Sequence, residues 1–136
     1  MAQQNDEQVT KKEQIYRGKT LEELKKLDVR ESAKYLKSKP RRSVLRNFDK
    51  LEKFITRCEE KVKMKKRIKT HFRDFVIVPK MVGFTIHIHN GKSFQEVSIT
   101  SEMIGHRLGE FALTRVKPVH TTMGIGATKS SRAQKK

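Results

Sequence analysis

Asn90-Gly91-Lys92-Ser93-Phe94-Gln95-Glu96-Val97-Ser98-Ile99-Thr100-Ser101-Glu102-Met103-Ile104-Gly105-His106-Arg107-Leu108-Gly109-Glu110-Phe111-Ala112-Leu113-Thr114 is the stretch that decides how this chain folds. Asn-Gly is the pair a two-residue type I′ hairpin turn wants, because both central positions need positive φ. Before the pair, Phe84, Ile86 and Ile88 alternate with Thr85, His87 and His89. After it, Ser93, Gln95, Val97 and Ile99 alternate with Phe94, Glu96 and Ser98. Two period-two patterns meeting at such a turn predict an antiparallel hairpin with one apolar face.

The second arm of that hairpin runs into Thr100-Ser101-Glu102, where a hydroxyl can cap free N–H groups and an early carboxylate suits a helix start. Met103, Ile104, Leu108 and Phe111 then predict one apolar side of a short helix. Gly105 and Gly109 are out of place there, since each costs about 0.8 to 1 kcal/mol relative to Ala inside a helix. Spaced by four, they would leave a bare strip on one face, edged by His106, Arg107 and the later Arg115. Such a strip suits a sugar-phosphate backbone, and it equally suits close packing of the helix on the sheet.

Upstream, Asp74-Phe75-Val76-Ile77-Val78 is a short apolar run ended by Pro79, which predicts an edge strand or an extended lead into the hairpin. From Arg41 to about Lys66 the spacing of Val44, Phe48, Leu51, Ile55, Cys58 and Val62 predicts one long helix with an apolar seam. Pro40 stands as its first helical residue. Earlier still, Thr20-Leu21-Glu22-Glu23 is a capping box before a short helix, and Asp28-Val29-Arg30-Glu31 opens a second. Lys61, Lys63, Lys65, Lys66, Arg67, Lys69 and Arg73 follow with no acid among them, a density that phosphates would neutralise.

The whole chain of 136 residues carries 32 Lys and Arg against 15 acids, a net charge of +17. That imbalance asks for a polyanionic partner, nucleic acid before an anionic membrane, and no apolar stretch or leading signal suggests membrane insertion. Cys58 is the only cysteine, which excludes an internal disulfide and fits a reducing compartment. His87 and His89 are too few for a zinc site, no nucleophile elbow exists, and Gly124-Ile125-Gly126-Ala127-Thr128-Lys129-Ser130 lacks the glycine a phosphate loop needs before its lysine. No cofactor and no enzyme is called for. Residues 115–136 hold six Lys or Arg and no acid, too little oil to fold alone, and are expected to be an extended tail that orders on its partner.

Asn90-Gly91-Lys92, Ile99, Ile104-Gly105-His106-Arg107-Leu108-Gly109-Glu110-Phe111 and Thr114, in that order, resemble the signature of the S-nineteen family of small-subunit ribosomal proteins, called S-fifteen in eukaryotic naming. Lys69-Thr70-His71, Arg73-Asp74, Val78-Pro79 and Met81-Val82-Gly83 extend the likeness, which covers about residues 68 to 132. Gly124-Ile125-Gly126-Ala127-Thr128 with Ser130-Ser131-Arg132 is similar to the tail of archaeal and eukaryotic members, although His120-Thr121-Thr122-Met123-Gly124 departs from their usual His-Gly-x-Pro-Gly run.

The expected protein is α+β: a small antiparallel sheet of about three strands with a short helix across it, an N-terminal helical arm and an extended basic tail. Its expected parts are a disordered segment 1–14, a helical extension 15–67, an RNA-binding core 68–114 and the tail 115–136. The resemblance implies a structural protein of the ribosome in the cytoplasm, bound to small-subunit ribosomal RNA in the 3′ major domain of the head. It also implies a neighbour of the S-thirteen family, nearness to the bridges with the large subunit, and a tail directed at the decoding region with its tRNA and mRNA. The residues expected to touch RNA are Arg41, Arg42, Lys69, Arg73, Lys92, Gly105, His106, Arg107, Gly109, Arg115, Lys117, Lys129 and Arg132. A regulator that binds DNA through the helical arm, or a nuclease built on His87 and His89, are the alternatives.

Overall fold

The computed structural model describes residues 15–117 and Ser130; the expectations for residues 1–14, for most of the tail, and for Lys129 and Arg132 lie outside the described residues. Two two-residue strands, β1 (Ile15–Tyr16) and β2 (Lys19–Thr20), open the described chain and pair antiparallel. Arg17 and Gly18, with φ of 49° and 80°, supply the two positive φ of a tight turn. Thr20 then caps α1 (Leu21–Lys26), its hydroxyl accepting the Glu23 N–H at 3.4 Å as the capping box predicts. Helix α2 (Val29–Ala33) begins after Asp28, whose side chain makes no capping bond and instead meets Lys80 at 3.9 Å.

The expected long helix is two helices, α3 (Ser38–Arg46) and α4 (Phe48–Lys63). They break at Asn47, whose φ of −109° and ψ of 23° leave the helical region, and whose N–H and side-chain amide both donate to the Ser43 carbonyl. Helix α3 begins at Ser38, so Pro40 falls within its first turn rather than at its start; its missing N–H has no helical partner to lose there. The seam is otherwise as read: Val44, Leu51, Ile55 and Cys58 are buried, while Phe48 is half-buried beneath the Arg30 guanidinium, 4.1 Å from its ring centre. Val62, the last residue but one of α4, is 48% exposed.

Helix α4 ends in a complete Schellman motif. Lys65 N–H donates to the Val62 carbonyl at 3.0 Å and Lys66 N–H to the Lys61 carbonyl at 2.8 Å, with Lys65 at a φ of 53°. That reversal feeds β3 (Ile68–Thr70), which pairs with β4 (Thr85–His89); β4 in turn pairs with β5 (Phe94–Ser98). Three strands form as expected and the hairpin is antiparallel, but β3 runs parallel to β4, so the sheet is mixed. The third strand is also not the apolar run at 74–78. That segment is extended and bonds across to residues 105–109: Ile77 N–H to the His106 carbonyl, Gly105 N–H to the Ile77 carbonyl and Leu108 N–H to the Phe75 carbonyl.

The hairpin turn is corrected too. Asn90 has no positive φ; only Gly91 does, at 99°, and residues 90–93 form a four-residue loop. The Asn90 carboxamide oxygen closes it by accepting the N–H groups of Lys92 at 3.0 Å and Ser93 at 2.8 Å, an Asx turn in place of type I′. The helix expected across the sheet is two 3₁₀ turns, Ser101–Met103 and Leu108–Phe111. Gly105 lies between them at a φ of 88°, so Gly105 and Gly109 do not share a helical face.

One hydrophobic core joins the helices to the sheet. Val29, Leu36, Val44, Leu51, Phe54, Ile55 and Cys58 meet Ile68, Ile86, Ile88 and Val97 from the inner sheet face, closed by Phe75, Val76, Ile77, Met81, Ile104 and Leu108. The opposite face of the sheet carries Lys69, His87, His89, Phe94 and Glu96. No helix among the described residues is long and apolar enough to cross a membrane.

Candidate nucleic-acid interface

Alternation along β3 buries Ile68 and Thr70 and turns Lys69 and His71 outward. Just before them, the end of α4 and its Schellman turn present Lys63, Lys65, Lys66 and Arg67, all exposed, with Lys61 half-buried at their edge. Among the described residues Lys80 is the only lysine or arginine with a carboxylate within 4.0 Å. A surface this basic and this poorly neutralised from within has its counter-charge elsewhere.

Between α4 and the free edge of β3 lies a groove of about 200 Å³. Phe54, Cys58, Ile68 and Phe72 form its apolar part, and Arg57, Lys61, Lys69 and His71 its polar rim. Phe72 is exposed but stacked on Phe75 with centroids 4.6 Å apart, and Phe54 meets both edge-on. Burial pushes the Cys58 thiol up to about 11, so it stays protonated near neutral pH and offers no nucleophile.

The expected contact residues fall into different situations. Arg41 and Arg42 are exposed on α3, beside the exposed Leu45. Lys92 is exposed in the hairpin loop, and Arg107, Arg115 and Lys117 are exposed towards the end of the described chain. His106 is exposed as well, but its Nδ1 lies 2.7 Å from a Glu110 carboxylate oxygen.

Arg73 sits half-buried at the centre of the fold. Its Nη1 donates to the His89 carbonyl at 2.6 Å, and its Nη2 to the carbonyls of Gly109 at 2.8 Å and Ala112 at 2.6 Å. This guanidinium ties the end of β4 to the second 3₁₀ turn and to the chain leaving it. Gly109 is bare for the same reason: a Cβ there would stand 3.0 Å from the Arg73 carbonyl oxygen, which accepts the Gly109 N–H at 2.8 Å. At Gly105 the nearest atoms to such a Cβ would be Leu36 Cδ2 at 3.7 Å and Tyr16 Oη at 3.8 Å, so its positive φ rather than crowding demands glycine. At Gly109, then, a close approach is made within the chain, to the Arg73 backbone.

His71, Phe72 and Phe94 do not stand out in the sequence as site residues, and the end of α4 shows there only as a charge run. The alternation of Lys69 with His71, and the placement of His89 and Phe94 either side of a turn, were the cues available. Among the described residues no group of three or more His, Cys, Asp or Glu is placed to hold a metal ion.

The family model described as Ribosomal protein S19 matches residues 42–120, more than half of the chain. That match starts well before the stretch whose residues carry the likeness, taking in the second half of α3 and all of α4, and it ends at residue 120, inside the basic tail and before Gly124. Unpaired cations, a small sheet with one open face and this match agree: the chain belongs to the ribosomal protein S19 family and is a structural protein of the ribosome.

Proposed function

We propose that this protein binds small-subunit ribosomal RNA in the head, within the 3′ major domain, beside a protein of the S-thirteen family and near the bridges to the large subunit. In this proposal residues 115–136 extend towards the decoding region, and the assembly is cytoplasmic. The observation that carries the RNA part is the near absence of carboxylate partners for the lysines and arginines among the described residues, where Lys80 alone has one.

Binding then proceeds by release of counterions condensed on the RNA, followed by hydrogen bonds to phosphates and 2′-hydroxyls that fix one RNA shape without reading many bases. Lys63, Lys65, Lys66, Arg67 and Lys69 make one contact group, Lys92 and Arg107 a second, Arg41 and Arg42 a third, with Arg115, Lys117, Lys129 and Arg132 leading along the tail. His106, Gly105 and Gly109 border the second group. Arg73 acts through the backbone it holds.

The test is binding of the full chain to a transcript of the 3′ major domain over a salt series. Neutralising roughly six phosphates predicts a log–log slope of about −5. A slope near zero, or equal affinity for duplex DNA, would remove the proposal.

A further inference from the structure

We propose that the open face of the sheet holds a stacking site for one unpaired RNA base, formed by His71, His89 and Phe94. The site rests on the RNA-binding function proposed above and narrows it to a feature of the RNA itself, a nucleotide outside a duplex.

The register builds it. His89 and Phe94 are direct partners across β4 and β5, and His71 follows β3 alongside His89 because Thr70 pairs with Ile88. The His71 and His89 ring centres are 4.6 Å apart at 37°, and Phe94 stands edge-on to both, at 5.1 Å and 77° and at 4.9 Å and 68°. The Gly91 N–H donates to His89 Nδ1 at 3.1 Å, which helps to orient that ring. None of the three rings belongs to the hydrophobic core.

Two further observations choose the occupant. The Lys69 ammonium lies 5.3 Å from the centre of the Phe94 ring, so a cation already sits at the edge of the aromatic surface. Lys69 and His71 also form the near wall of the groove against α4, whose far rim carries Arg57 and Lys61. An aromatic surface with a cationic groove beside it is what a single strand needs, the base on the rings and its flanking phosphates along the groove. A base inside a duplex has no free face to offer. Glu96 lies on the same sheet face opposite His87, one step along the strand from the rings, and marks where the phosphate path cannot go.

The full chain is titrated with two RNA hairpins that differ by one bulged 2-aminopurine. Wild type should prefer the bulged hairpin and quench its fluorescence. Phe94→Leu keeps an apolar side chain and every cation, and His71→Ala alters an exposed position; each should lower the preference by about tenfold and lose the quench. Binding to the paired hairpin and its salt slope should stay as in wild type, and both variants should melt within a few degrees of it. An unchanged preference in both variants overturns the stacking site and leaves RNA binding standing: the rings then serve only to hold the strands together, or to meet a protein. If neither hairpin binds with a salt-dependent affinity, the RNA-binding function fails and the stacking site with it.

Discussion

Two regions of this molecule carry the same kind of charge and use it in opposite ways. Around Arg73 a guanidinium is turned inward and donates hydrogen bonds to three backbone carbonyls, those of His89, Gly109 and Ala112. Some residues earlier, at the end of α4, Lys63, Lys65, Lys66 and Arg67 stand exposed with no carboxylate within 4.0 Å. The first region builds the fold and the second leaves it incomplete. Both look alike as letters, because Lys61 to Arg73 holds seven lysines and arginines and no acid.

The sharpest way to break the comparison is to remove the inward charge. Arg73→Ala leaves three carbonyls without their donor, and with hydrogen bonds to charged groups worth about 1.5–3 kcal/mol each and not additive, a loss of about 3 kcal/mol of stability is expected. Arg73→Lys should recover less than half of that, because a single ammonium cannot span His89 on one side and Gly109 with Ala112 on the other. Urea denaturation of both variants measures it. Wild-type stability in Arg73→Ala would show that the carbonyls find water instead and that Arg73 belongs with the outward group.

Next in size is the glycine that lets Arg73 sit where it does. Gly109→Ala drives a methyl to 3.0 Å from the Arg73 carbonyl oxygen, and backbone cannot step aside as a side chain would. Overpacking of this kind costs about 1–3 kcal/mol. Gly105→Ala meets only ordinary contacts but must hold a positive φ, for about 1–2 kcal/mol. Thermal melting should therefore rank Gly109→Ala at or below Gly105→Ala. The same logic reverses what a shared helical face would predict for Gly105→Leu: it should damage the isolated fold before it damages RNA binding.

These cases show what was legible in the sequence. The hairpin was, because Phe84, Ile86, Ile88, Val97 and Ile99 keep strict period two on both sides of Asn90-Gly91. The buried side of α3 and α4 was legible through the spacing of Val44, Leu51, Ile55 and Cys58. The break at Asn47 was not, since a single non-helical φ and ψ leaves the apolar period intact. Nor was the parallel strand β3, three residues long, whose pairing depends on where α4 delivers the chain. The apolar run at 74–78 read equally as an edge strand or an extended lead into the hairpin, since Phe75, Val76, Ile77 and Val78 are all apolar; it is extended, and its partner is the loop around Gly105 rather than the sheet. At the candidate interface, composition announced the charge but could not divide inward from outward. A guanidinium's direction is set by carbonyls up to 39 residues away.

The finest test lies at Lys65, where the two uses of charge meet in one residue. Its φ of 53° is the left-handed position that closes the Schellman motif of α4, a place glycine fills without strain and a lysine fills at about 1–2 kcal/mol. Lys65→Gly relieves that strain but frees the unfolded chain, which gives back about 0.4–1 kcal/mol, so a net gain of about 0.5 kcal/mol is expected. The same change deletes one outward cation and should reduce the salt slope of RNA binding by about 0.9. A melting temperature that rises while the slope becomes shallower would mean that this turn tolerates backbone strain in order to present charge. If Lys65→Gly melts higher and the slope is unchanged, the lysine makes no phosphate contact, and the contact group at the end of α4 shrinks to its neighbours.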